Sequence, residues 1–164
     1  MSRRAPATIV ALSLLVLAAC DVLGLGNDNN GPDLRILALE EAVPPGGMQG
    51  IRTENHASQS IFFNPCPSFF ERRIALAWIP LPETRAGVCT QQLEELPAGT
   101  NSGFLIPVPA SLPTGTYRIV FESFWFEEGV SEMGTLILEF LPVEERTTGG
   151  FEVVDDLSAL STRR

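Results

Sequence analysis

Two hydrophobic patterns divide this chain. From Ala5 to Ala19 the residues are almost continuously apolar, and Ile9 to Leu17 is broken only by Ser13. From Leu34 onward the apolar runs are short, turn residues separate them, and no long helical period appears. Leu34 to Leu39 predicts a first strand, and Pro44-Pro45-Gly46-Gly47 then breaks the chain. Gln49 to Glu54 alternates in the manner of a half-buried strand, and Ser60 to Phe63 resumes β character before Asn64-Pro65-Cys66-Pro67. The apolar stretch Ile74 to Ile79, with Trp78, predicts a central strand. Phe104 to Val108 predicts another, and Pro107 marks it as an edge because proline cannot donate to a ladder.

The clearest segment is Leu112-Pro113-Thr114-Gly115-Thr116-Tyr117-Arg118-Ile119-Val120-Phe121. Pro113 and Gly115 suit a turn, since proline fixes φ and glycine accepts positive φ. Tyr117, Ile119 and Phe121 then share one face, and Arg118 and Glu122 share the other. Thr135 to Leu141 and Phe151 to Val154 complete a set of about seven to nine strands, the pattern of an antiparallel β-sandwich. Glu40 to Val43 reads either as an extension of the first strand or as one helical turn. The chain divides into a leader over 1–19, a Gly- and Asn-rich tether over 20–33, one all-β domain over 34–154 and a frayed tail over 155–164. As a flexible coil the tether's ends average roughly 20 Å apart.

The leader changes the picture more than composition does. Arg3 and Arg4 precede the apolar run, and the small residues Ala18 and Ala19 follow it, in the order of an export signal. The alternative is a retained transmembrane helix, but a span needs about 20 apolar residues and Pro6 shortens this run. Leu17-Ala18-Ala19-Cys20 resembles the lipobox of bacterial lipoproteins. That resemblance implies cleavage before Cys20, a diacylglycerol on its thiol and a new amino group open to acylation. Each buried methylene contributes about 0.8 kcal/mol, so two or more chains such as palmitate give stable membrane anchoring. Ser2-Arg3-Arg4 also touches the twin-arginine export pattern, but Ala5-Pro6-Ala7 replaces the large apolar residues that normally follow. An aspartate after the lipidated cysteine favours inner-membrane retention in some bacteria, and Asp21 matches; the choice of membrane stays open.

Without its leader the chain keeps roughly 145 residues, enough for one core, and its net charge of −9 falls to roughly −11. Such a surface repels nucleic acid, so the partners expected are the membrane, through the N-terminal lipid, and another envelope protein. With Cys20 assigned to lipid, Cys66 and Cys89 remain, and an exported chain favours one disulfide between them. Two buried or metal-binding thiols are the alternative, although His56 is the only histidine available to such a site.

The stretch from Glu54 to Val120 resembles bacterial immunoglobulin-like domains of exported proteins. The resemblance rests on Asn55 followed by Ser58, Asn64-Pro65-Cys66, the Trp78 segment, Cys89, Leu96-Pro97-Ala98-Gly99 and Leu112-Pro113-x-Gly-x-Tyr117-Arg118. It implies an immunoglobulin-like sandwich with a turn before one strand at Pro97 to Gly99 and a tyrosine corner at Tyr117. Phe124 to Gly150 is longer than the closing region of many relatives, and the strand order there stays open. The resemblance implies no activity.

Catalytic chemistry finds little support. A hydrolase triad needs a base beside a nucleophile, and His56 sits in a polar strand end or loop. The acidic pairs Glu40-Glu41, Glu94-Glu95, Glu127-Glu128, Glu144-Glu145 and Asp155-Asp156 are adjacent in sequence. Neighbours on a strand point to opposite faces, and neighbours in turns are usually solvated. Placing Gly31 at the glycine of a calcium loop puts Gly26 first and Leu37 last, where carboxylates are required; calcium held by other loops is the remaining metal alternative. No phosphate-cradling or zinc pattern occurs, and no cofactor is expected. Phe124-Trp125-Phe126 is the candidate partner contact: in a strand Trp125 faces one way and Phe124 and Phe126 the other, so at least one face is core, and the other either packs against another element, the favoured reading, or forms an exposed apolar patch open to contact. The expectation is a lipid-anchored, non-catalytic binding or structural module of the cell envelope, with a protease-inhibitor or chaperone-like sandwich as the second reading.

Overall fold

The computed structural model describes residues 33–85 and 88–155. The alternating positions form strands: in β1 (Leu34–Ala38) Leu34 and Ile36 are buried while Arg35 and Leu37 are exposed. β2 (Ala42–Val43) is a two-residue piece, so Glu40 to Val43 is neither a helical turn nor an unbroken extension of β1. β3 (Met48–Asn55) follows, then β4 (Ile61–Phe63), β5 (Ser68–Ile74) and β6 (Ala77–Leu81). A 3-10 turn (Pro82–Thr84), β7 (Glu94–Leu96), β8 (Asn101–Pro107) and β9 (Gly115–Phe121) come next. β10 (Phe124–Val130), β11 (Leu136–Phe140) and β12 (Phe151–Val153) close the order.

Twelve strands exceed the seven to nine expected: two long strands are each broken in two, and the short pieces β2 and β7 are counted as well. β4 and β5 flank residues 64–67, and β9 and β10 flank residues 122–123. Ser68 pairs with Phe121, and Phe63 pairs with Phe124, so four residues oppose two. This bulge keeps its hydrogen bonds: Asn64 N–H donates to the Ser123 carbonyl at 2.9 Å and Glu122 N–H to the Pro67 carbonyl at 2.7 Å. One long antiparallel strand pair is thereby bent into two sheets. The order β2-β12-β9-β5-β6 lies before the bend and β11-β10-β4-β7 beyond it. The third sheet is β1-β3-β8. All pairings are antiparallel except β12 with β2, which sets Val153 beside Val43. The strand order left open after Phe121 is thus a β10–β11 hairpin followed by a return to β12 beside β9.

Tyr117, Ile119 and Phe121 are fully buried, as their alternation predicts. They meet Ile51 of β3, Phe70 of β5 and Phe151 of β12 in one core cluster. Phe63, Phe104, Phe121 and Phe124 form an aromatic group with ring centroids 5.0 to 5.9 Å apart. Each such side chain contributes about 1.5–3 kcal/mol when fully buried. The Tyr117 hydroxyl donates to the Pro113 carbonyl at 2.7 Å, which is the tyrosine corner. Burial raises the pKa of this phenol, with Arg72 opposing the shift. With that corner and the two-layer strand arrangement, the domain is an all-β immunoglobulin-like sandwich.

One predicted strand is wrong. Ile74 to Ile79 is not a central strand: Ala75 and Leu76 form the two-residue turn of the β5–β6 hairpin, and β6 is an edge. Ile74, Leu76 and Ile79 are all exposed. Ala75 adopts φ 55°, a conformation that two-residue hairpins usually assign to glycine or asparagine. Nothing in the residue types at 75 and 76 signalled a turn.

Candidate functional site

Cys20 and the leader lie outside the described residues, as do residues 156–164 of the expected tail. Cys66 and Cys89 are joined by a disulfide, with Cα atoms 5.6 Å apart. The bridge fastens the bulge to the segment ahead of β7 and does not link the two faces of the sandwich as in antibody domains. Asn64 supports the same junction: its Oδ1 accepts from the Cys66 N–H at 3.0 Å and its Nδ2 donates to the Thr90 carbonyl. Asn55 acts similarly, donating to the Gln59 and Leu96 carbonyls and accepting from Ala57 N–H. The asparagines of the resemblance are thus structural staples.

The aromatic triplet divides as alternation requires. Phe124 is fully buried and so offers no contact surface, and Phe126 is partly buried and packs against the core. Trp125 lies on the opposite face, half-buried. The register places it between Phe62 on β4 and Phe140 on β11, directly paired positions that share a face. Trp125 and Phe140 meet edge to face at 5.6 Å, and the Arg146 guanidinium stands 4.5 Å over the Phe140 ring. Phe62 and Phe140 were not singled out from sequence; only the pairing brings them into a row with Trp125. Val130, Leu136 and Ile137 extend exposed apolar surface along the same hairpin.

Beside that row, Glu145 has a buried Oε2 with no hydrogen-bond partner among the described residues. Burial raises its pKa above the ordinary value, and Glu144 and Asp33 raise it further. A second polar cluster lies on the outer face of β5 and β9, where Arg118 pairs with the buried Glu71 at 2.5 Å and stacks 4.7 Å over Trp78. Trp78 is therefore an outer-face residue of an edge strand, not a core residue of a central one.

His56 is exposed and its Nε2 lies 3.3 Å from Glu54. Among the described residues no three His, Cys, Asp or Glu side chains converge in a metal-binding arrangement. Of the acidic pairs, Glu94 and Glu95 lie on β7, where Glu95 accepts from the Ser60 hydroxyl at 2.8 Å, and Glu40 accepts from Gly50 N–H and Gln49 Nε2. Among the described residues no helix is long and apolar enough to cross a membrane.

No family model matches the chain, and no curated protein matches it. Among solved structures it is similar to the ASH/PapD-like domain 7 of human CEP192, at 11% identity and a TM-score of 0.31, over 75% of this chain and 86% of that one. It is also similar to part of a β-glucosidase from Listeria innocua, at 10% identity and a TM-score of 0.30, over 76% of this chain but only 16% of that one. At these scores neither likeness bears on function.

Proposed function

We infer that this chain is a lipid-anchored module of the bacterial cell envelope that binds another envelope component and carries out no catalysis. The observation that carries the binding reading is the open aromatic row Phe62–Trp125–Phe140, rimmed by Arg146. Aromatic residues with arginine are the types that dominate binding energy at protein interfaces. The anchoring reading rests on Leu17-Ala18-Ala19-Cys20. The tether then holds the sandwich within roughly 20 Å of the bilayer, close enough to meet membrane-associated partners.

Two measurements test the two halves. Metabolic labelling with an alkyne palmitate should mark the wild-type chain and not Cys20→Ala; a labelled Cys20→Ala chain removes the lipoprotein reading. Cross-linking in intact envelopes should recover a discrete partner, and Trp125→Ala should lower its yield at least about tenfold, as for a tryptophan hot spot. An unchanged yield from a folded Trp125→Ala chain overturns the role of this face.

A further inference from the structure

The two principal layers do not match in width. The β1-β3-β8 sheet has three strands, and the sheet containing β5 and β6 has five. β8 is bonded only to β3, and its other edge is unpaired among the described residues. The register shows which groups face that edge. Val108 N–H donates to the Gly47 carbonyl and Asn55 N–H to the Thr100 carbonyl, so positions 100, 102, 104, 106 and 108 bond inward to β3. Asn101, Gly103, Leu105 and Pro107 therefore direct their backbone groups outward, and Pro107 has no N–H to offer.

Beside this edge lies a cleft of about 420 Å³. Phe104, Ile106 and Pro107 of β8 form one wall, with Phe70 and Thr84 across from them and Pro109 at one end. None of its lining side chains is charged, in a chain of net charge −9. A second observation concerns β6, whose residues do not line the cleft itself. Ile79 pairs with Arg72, and Leu81 pairs with the buried Phe70, so both point to the inner side of their sheet. Yet Ile79 is 41% exposed. An inner-face isoleucine on β6 is uncovered because the opposing sheet stops at β8.

We propose that this slot receives an extended, uncharged polypeptide strand from a partner protein, which adds to the free edge of β8 and lays alternate aliphatic side chains into the cleft. Gly103 and Leu105 supply the main-chain hydrogen bonds, and the cleft supplies side-chain selection, the division of labour of strand addition. The overhang of β5 and β6 leaves width for one strand beside β8, whereas a whole second copy of the sandwich would meet β6. The absence of lining charge excludes acidic and basic segments, since either would bury an unpaired charge. This rests on the binding-module reading but not on the lipid anchor or on Trp125.

The test uses the full chain and a capped nonapeptide of alternating threonine and valine, with a twin N-methylated at alternate residues. Hydrogen exchange read by NMR should slow at the Gly103 and Leu105 amides by about tenfold or more with the plain peptide and not with its twin. Leu105→Pro removes one outward donor, which edge strands tolerate, and should weaken binding by about tenfold while Tm stays near wild type. Pro109→Glu, which sets a charge on the uncharged cleft lining, should do the same. Absence of protection at saturating peptide overturns the proposal. So does equal binding of the twin, which would make the slot a pocket for small apolar molecules, and so does concentration-dependent protection without peptide, which would make the occupant a second copy. Trp125-dependent cross-linking that persists in both variants would show that only this inference, and not the envelope-binding reading, has failed.

Discussion

Removing the Cys66–Cys89 bridge by substituting both residues with alanine should cost about 3.4 kcal/mol. The bonded residues are 23 positions apart. The loop-entropy relation then gives a loss of about 11.4 cal/mol/K in the unfolded chain, or about 3.4 kcal/mol at 25 °C. The native state should lose little of its own. Val88 is almost fully exposed, Leu93 is exposed, and no side chain from Val88 to Glu95 is buried, so the bridge does not hold a piece of core in place. The Cys66 bond to Asn64 is made by the backbone N–H and survives in alanine. Equilibrium urea unfolding of the oxidised wild type and the double variant reads the difference directly. With a slope of about 1.5–2 kcal/mol/M for a domain of this size, the midpoint should fall by about 2 M. A loss below about 1 kcal/mol would refute the reasoning, because the loop from 66 to 89 would then be restricted in the unfolded chain without its cross-link.

Three further outcomes are expected. Tyr117→Phe should cost about 1 kcal/mol by thermal or urea unfolding, since it deletes the bond to the Pro113 carbonyl and leaves the ring in place. Ala75→Gly should stabilise by about 0.5–1 kcal/mol, because the left-handed conformation costs alanine about 1–2 kcal/mol and glycine returns part of that gain as chain entropy. Glu145→Gln should raise Tm at pH 7 and leave it unchanged at pH 4. The folded pKa of Glu145 is raised above its ordinary 4.5, so its favourable contribution is complete below 4.5 and lost as pH rises through the folded value. A Tm difference that is largest at acid pH would contradict that assignment.

The parts of the fold legible in sequence are those governed by local periodicity. Tyr117, Ile119 and Phe121 alternate with polar residues, and their burial needs no knowledge of what they touch. Pro107 announces an edge because a missing N–H is a property of the residue itself, and β8 does end its sheet. Ile74 to Ile79 was misread because both neighbours of its turn are apolar and the turn residue is an alanine at φ 55°. Hydrophobic runs carry no sign of where they fold back when the turn lacks glycine, proline or asparagine. The bulge was legible only as a composition, Asn64-Pro65-Cys66-Pro67; that it opposes just two residues and bends an antiparallel strand pair into two sheets depends on register.

Both candidate surfaces depend on pairing in the same way. Trp125 was visible as a residue, but its row with Phe62 and Phe140 joins the β10–β11 hairpin to β4, some sixty residues earlier in the chain. The slot at β8 is further removed from sequence. Its defining features are an edge that no strand occupies and an isoleucine that no layer covers, and neither belongs to any residue taken alone. Burial of the partly exposed Phe104, which lines the cleft, is therefore the most direct consequence of a strand beside β8. A peptide that protected the Gly103 and Leu105 amides while leaving Phe104 as exposed as before would be lying on the outer face and not in the cleft.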